Sequence, residues 1–195
     1  MYFGLSEEQQ SLEDNIKKYL EDNASLDTIK EVASGDTAKS ADIHKGLLEL
    51  GVSGLMVPEQ YGGLELDMLF ASVVSGALGS GTAPVPYAGA YVMAPIALTL
   101  AGSDNQKENR LPKIACGEAV IGIGLSEYVG AREDAAITAS GKTISGRCLF
   151  VIDAKEADAY ILSNKAGELY LVDAKAKGIS VTDLVTVDKL SLIHI

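Results

Sequence analysis

A chain of 195 residues can bury a sizeable core, and 47% hydrophobic against 22% charged residues is the composition of a folded globular protein, not a disordered one. A formal net charge of -11 leaves no clustered basic surface for a phosphate backbone, so no nucleic-acid partner is expected. Two cysteines, Cys116 and Cys148, and two histidines, His44 and His194, cannot assemble a Cys/His cluster, so no metal site is expected.

The opening "MYFGLSEEQQ" has no basic segment followed by an apolar run, so it does not read as an export signal, and a cytoplasmic location with reduced thiols is expected. Ser6 and Gln9 have capping-box spacing, and Leu12, Ile16, Tyr19 and Leu20 follow at helical intervals, which predicts a helix over 7–22. A shorter pattern over 28–33 ends at "SGD". A third helix is predicted from a Ser40 cap, with Ile43, Leu47, Leu48 and Leu50 on one face and Gly51 as a left-handed cap. His44 lies on this helix and is read as a surface or packing residue without chemistry.

"VPEQYGG" then interrupts the helical pattern. Asp67 is the expected cap of "MLFASVVSGALGSG", whose scarcity of polar residues predicts burial on nearly every face. "TAPVPYAG" breaks that helix, and an apolar helix is predicted over 91–100. The apolar stretch 88–100 contains Pro95 and falls short of the roughly 20 residues that span a bilayer, so no membrane span is expected. "SDNQKENRLPKI" reads as an exposed, capped amphipathic turn leading out of an all-helical domain over 1–115.

Beyond Gly117 the period changes. "AVIGIGL", "AAITA", "TISGRCLFVI", "AYILS", "ELYLVDA" and "GISVTDL" read as strands, with hairpins turning at Ser140 and Gly141 and between Asn164 and Gly167. The expected class is α+β: an N-terminal all-α domain followed by an incomplete antiparallel β domain over 116–190. The tail 191–195, "SLIHI", fits neither pattern and reads as non-native.

In order and spacing, "LLELGVSGLMVPEQYGG", "LPKIACGEAVIGIGLSE" and "GKTISGRCLFVIDAKEADAYIL" resemble the acyl-CoA dehydrogenase family of flavoproteins over about 5–190. The resemblance implies FAD as cofactor, an acyl-CoA thioester as substrate and an electron-transferring flavoprotein as acceptor, in a homo- or hetero-tetramer. A carboxylate would remove the α-proton while hydride leaves the β-carbon for the flavin. The Pro-Glu-x-Tyr-Gly-Gly loop implies a substrate-side role for Tyr61.

The family's Thr-Glu-Pro segment maps onto Ser126, Glu127 and Tyr128, preceded by Leu125, and its Trp-Ile-Thr segment onto Phe150, Val151 and Ile152. These imply the cofactor-binding set Leu125, Ser126, Glu127, Phe150, Val151 and Ile152. Ser126 keeps a hydroxyl, whereas Ile152 has none where the family pattern has threonine. "GARED" stands in place of the usual Gly-Ser-Asp, which leaves Arg132 as the implied partner of the CoA phosphates. No catalytic residue is assigned, because the family's glutamate base lies on a C-terminal helical bundle to which no segment here corresponds. The implied function is α,β-dehydrogenation of an acyl-CoA by the parent enzyme, with this fragment inactive alone. The alternatives are a non-catalytic partner subunit of a hetero-oligomeric dehydrogenase and a flavin monooxygenase of the same fold.

Overall fold

The computed structural model describes residues 4–125 and 136–183, and the backbone of 192–194. Helix α1 (Glu7–Asn23) opens on the expected capping box, Ser6 Oγ accepting from the Gln9 amide and the Gln9 side chain from the Ser6 amide. Ile16 and Leu20 turn inward from it. Helix α2 (Leu26–Ala33) is capped by Ser25.

Helix α3 (Thr37–Glu49) begins earlier than its pattern suggested, because Asp36, not Ser40, supplies the cap. Asp36 accepts from the Lys39 amide, while the Ser40 hydroxyl donates to the Pro84 carbonyl and ties α3 to a distant loop. Gly51 follows with φ 82°, the left-handed exit predicted for it.

From Gly51 the chain buries Val52, Ser53, Gly54, Leu55 and Val57, then turns at Pro58 (φ -59°, ψ 146°) into a 3-10 turn over Glu59–Tyr61. It then doubles back. Leu64 N–H donates to the Gly54 carbonyl, Glu65 N–H to Val57 and Leu66 N–H to Leu55. Gly62 makes the reversal at φ 84°, and a Cβ on Gly63 would lie 2.0 Å from the Val57 oxygen. The apolar helix stops here because a two-glycine turn folds back on its own exit. Gly54 has ordinary space and no positive φ, so the freedom of glycine is not what that position uses.

Helix α4 (Met68–Ser80) is capped by the Asp67 carboxylate, which accepts from the Leu69 and Phe70 amides. Ala71, Val74, Ala77 and Leu78 enter the core, but Met68, Leu69, Ser72, Ser75, Gly76 and Gly79 face solvent. The expected all-round burial fails because serine and glycine lower a helix's polarity without needing cover.

A π-turn over Ala88–Met93 runs directly into α5 (Ala94–Ala101). Pro95 explains the wide turn, since it offers no amide to the Tyr91 carbonyl and its ring would crowd that oxygen in a regular helix. "SDNQKENRLPKI" is no turn. It forms helix α6 (Asp104–Ala115), opened by a Ser103/Gln106 capping box and anchored by buried Leu111 and Ile114.

The β part holds strands β1 (Ile121–Gly124), β2 (Ala136–Ser140), β3 (Thr143–Arg147), β4 (Val151–Ile152), β5 (Ala159–Ser163), β6 (Leu169–Asp173), β7 (Thr182–Asp183) and β8 (Leu192–His194). The main sheet has the order β6-β5-β1-β4-β8-β7, and β2 and β3 form a separate hairpin. All ladders are antiparallel except β1 with β5, which is parallel and pairs Ile121 with Ala159 and Gly124 with Leu162. "TISGRCLFVI" is therefore two strands in two sheets. Phe150 at φ 55° re-aims the chain between them.

Along β5, Ala159 and Ile161 join the core shared with the helices, together with Ile121 and Ile123 of β1. Tyr160 and Leu162 point the other way, into a second cluster with Ile137, Cys148 and Val151. The period of two thus lets one strand serve both cores. No helix among the described residues is long and apolar enough to cross a membrane.

Candidate functional site

Strand β4 lies against β1 with Ile152 opposite Ile123, and this register brings residues 150–152 beside Gly124 and Leu125. Val151 is fully buried, Ile152 and Leu125 are half-buried, and Phe150 is 37% exposed. Leu125, Phe150, Val151 and Ile152 thus lie near one another at the pairing of the two central strands of the sheet, β1 and β4, with Val151 turned into the second cluster. Ser126, Glu127 and Arg132 lie outside the described residues. Tyr61 is half-buried on the 3-10 turn that packs against α6.

The next residue was not singled out in the sequence. Asp153, 8% exposed, has left-handed backbone geometry at φ 52° and sends its carboxylate into the helical part. Its Oδ2 accepts three main-chain N–H groups at the start of the π-turn: Tyr87 at 3.0 Å, Gly89 at 2.7 Å and Ala90 at 3.0 Å. These are amides that a helix start leaves unpaired, and negative charge is favoured there. Burial pushes the carboxyl above its ordinary range, and the three N–H bonds pull it back only in part. The signal for Asp153 was a single acidic residue inside the apolar run "FVIDA", since a charge in such a run must find partners.

His44, read from the sequence as a surface or packing residue, packs on Tyr91. Its Nε2 lies 2.7 Å from the Tyr91 hydroxyl, and the two rings stack at 5.8 Å between centroids. Burial lowers the imidazole's pKa, and the charge of Glu156 partly offsets the effect. Tyr91 is fully buried, and burial, with Asp153 and Asp158 nearby, raises its hydroxyl far above the usual range. A cavity of about 200 Å³ opens beside this pair, lined by Ser40, His44, Pro84, Asp153, Lys155 and Glu156 among others.

Residues 6–118 match the family model described as "Acyl-CoA dehydrogenase, N-terminal domain". The chain belongs to the acyl-CoA dehydrogenase family. It is similar to a probable acyl-CoA dehydrogenase of Bacillus subtilis, 23% identical over 90% of this chain and 32% of the relative. Among solved structures it resembles the ChsE4-ChsE5 complex from Mycobacterium tuberculosis, with a TM-score of 0.86 at 24% identity over all of this chain and 54% of that one. It also resembles an acyl-CoA dehydrogenase complexed with FAD from Bacillus anthracis, with a TM-score of 0.77 at 22% identity over 97% of this chain and 36% of that one. The chain spans about a third of the length of the B. subtilis relative.

The chemistry of residues 150–152 and Leu125 suits a flavin ring in one respect, their apolar surface. Leu125, Phe150 and Ile152 offer an apolar ledge that a flat ring can pack against. None of residues 150–152 carries a hydroxyl or a charge, so hydrogen bonds from this segment to a flavin would come from its main chain. The larger cavity, about 380 Å³, lies elsewhere, between the β2–β3 hairpin and the main sheet beside Cys148, Tyr160 and Leu162.

Proposed function

We propose that the chain supplies the helical part and the flavin-facing part of the sheet of an FAD-dependent acyl-CoA dehydrogenase. The reaction is removal of hydrogen from Cα and Cβ of an acyl-CoA, with electrons passed on to an electron-transferring flavoprotein. The nearness of Leu125, Phe150 and Ile152 at the pairing of strands β1 and β4 carries this reading. When bound, the flavin supplies hydride acceptance. The chain's own share is to pack the ring on the apolar ledge, keep water from it, and offer main-chain hydrogen bonds. Tyr61 and Arg132 are assigned to the acyl-CoA, and Ser126 and Glu127 to the flavin. Proton abstraction is assigned to no residue here, so the 195-residue chain alone is expected to take up FAD without turning over an acyl-CoA.

Titrating FAD into the chain while following flavin fluorescence tests this. Saturable quenching is expected, with Phe150→Asp weakening it about tenfold or more, because a carboxylate replaces an apolar surface against the ring. Equal binding by both proteins would count against the ledge.

A second reading, a partner subunit of a hetero-oligomeric dehydrogenase, is favoured by Ile152 in place of a hydroxyl residue and by the likeness to a two-component complex. Co-expression with an active homologue separates the two readings. Stable co-purification without FAD bound to this chain supports the partner role.

A further inference from the structure

Residues 150–156 hold three non-glycine residues at positive φ: Phe150 at 55°, Asp153 at 52° and Glu156 at 62°. Such geometry is disfavoured for residues with a Cβ and persists only where the surroundings impose it. The two-residue strand β4 is too short to impose it alone. Besides the ladders that pair β4 with β1 and β8, the segment is reached by the start of the π-turn, whose three amides converge on Asp153 Oδ2. The approach is close on both sides, since a Cβ on Gly89 would lie 3.0 Å from Asp153 Oδ2 and 3.2 Å from the Ile152 oxygen.

The bonds span 63 to 66 residues of sequence, so the cap of a helix in one part of the molecule is supplied by the other. The same turn carries Tyr91, whose hydroxyl meets His44 on α3. A continuous set of contacts therefore runs from α3 through the π-turn and Asp153 to the ledge.

We propose that Asp153 is a positioning residue for flavin: by capping the π-turn in trans it fixes residues 150–152 against the helical part and so sets the affinity of the ledge. This rests on the flavin reading above. Neither the family assignment nor the ledge itself requires it, because Asp153 points away from the ledge into the helical part.

The test uses the 195-residue chain with two independent readouts, amide hydrogen exchange and FAD titration. Asp153→Ala is expected to strip protection from the Tyr87, Gly89 and Ala90 amides and to loosen the Ile123–Ile152 pairing. It is also expected to weaken FAD binding about tenfold, as the three hydrogen bonds that hold the joint are lost. Asp153→Asn keeps an acceptor oxygen for the same three donors, so it should restore both readouts most of the way. Gly89→Ala perturbs the joint from the helical side and should reproduce the loss if Asp153→Ala does not fold.

Unchanged FAD affinity in folded Asp153→Ala or Gly89→Ala overturns the proposal, as does unchanged protection at the three amides. If the unsubstituted chain takes up no FAD, the flavin reading falls and the flavin role of Asp153 falls with it. Hydrogen exchange then still decides whether the carboxylate joins the two parts.

Discussion

His44 and Tyr91 meet through a 2.7 Å hydrogen bond in a half-buried setting, and that setting makes a pH prediction. Burial holds the imidazole below its ordinary 6.5, so the unfolded chain binds more protons than the folded one in the window below that value. The contribution of His44 to stability is thus complete above about 6.5 and is lost as pH falls through the lower folded value. Thermal melts at pH 7.5 and 5.5 should show a drop that His44→Gln flattens; an equal drop in both proteins would remove His44 as its cause. Asp153 has the opposite sign, because its folded value is raised: its contribution is complete below the unfolded 3.8 and declines as pH rises through the folded value. The difference between wild type and His44→Gln therefore isolates the histidine. At Gly63 the argument is steric. A Cβ 2.0 Å from the Val57 oxygen cannot be accommodated without moving backbone, so Gly63→Ala should cost more than about 2 kcal/mol by urea denaturation. Gly62→Ala, strained at φ 84° but with open space around it, should cost about 1 kcal/mol.

Elements were legible where their ends carried local chemistry. Ser6 with Gln9, and Asp67 before Met68, marked helix starts that the structure reproduces, because a cap needs only three neighbouring residues. Asp67→Ala should accordingly cost about 1 kcal/mol, read from the shift of the denaturation midpoint. The start of α3 was misplaced because Asp36 and Ser40 are both good caps, and the choice depends on Pro84, whose carbonyl takes the Ser40 hydroxyl. Helix α6 was read as a turn because its run of polar residues and Pro112 masks the two anchors, Leu111 and Ile114. The face of α4 exposed at Ser72, Gly76 and Gly79 yields a prediction of the opposite sign from Gly63. A Cβ on Gly76 would meet nothing within 4 Å, and the residue has no positive φ, so Gly76→Ala should stabilise the chain by up to about 1 kcal/mol. A loss there would mean that the face is covered.

At the scale of the whole molecule, the change of period near Gly117 does not divide the core. Ile121, Ile123, Ala159 and Ile161 belong to the same buried cluster as Ile16, Leu47, Val74 and Leu111. Helix and sheet signals should therefore be lost together in urea, as one transition seen both by far-ultraviolet circular dichroism and by tyrosine fluorescence; separated midpoints would show two independent units. Leu125, Ser126, Glu127, Phe150, Val151 and Ile152 were named from the sequence as one group, and strand pairing brings the four described ones near one another. Tyr61 was named separately, for the substrate, and its turn packs on α6. The sequence by itself determined the α+β class, the family, the caps of α1 and α4 and the strand periods, because each rests on residues a few positions apart or on an ordered set of motifs. Only the tertiary structure decided that β1 and β5 run parallel, that one face of α4 is open, and that Asp153 caps a helix 63 residues before it. Those outcomes depend on which distant surfaces meet, and burial in the shared core selects that.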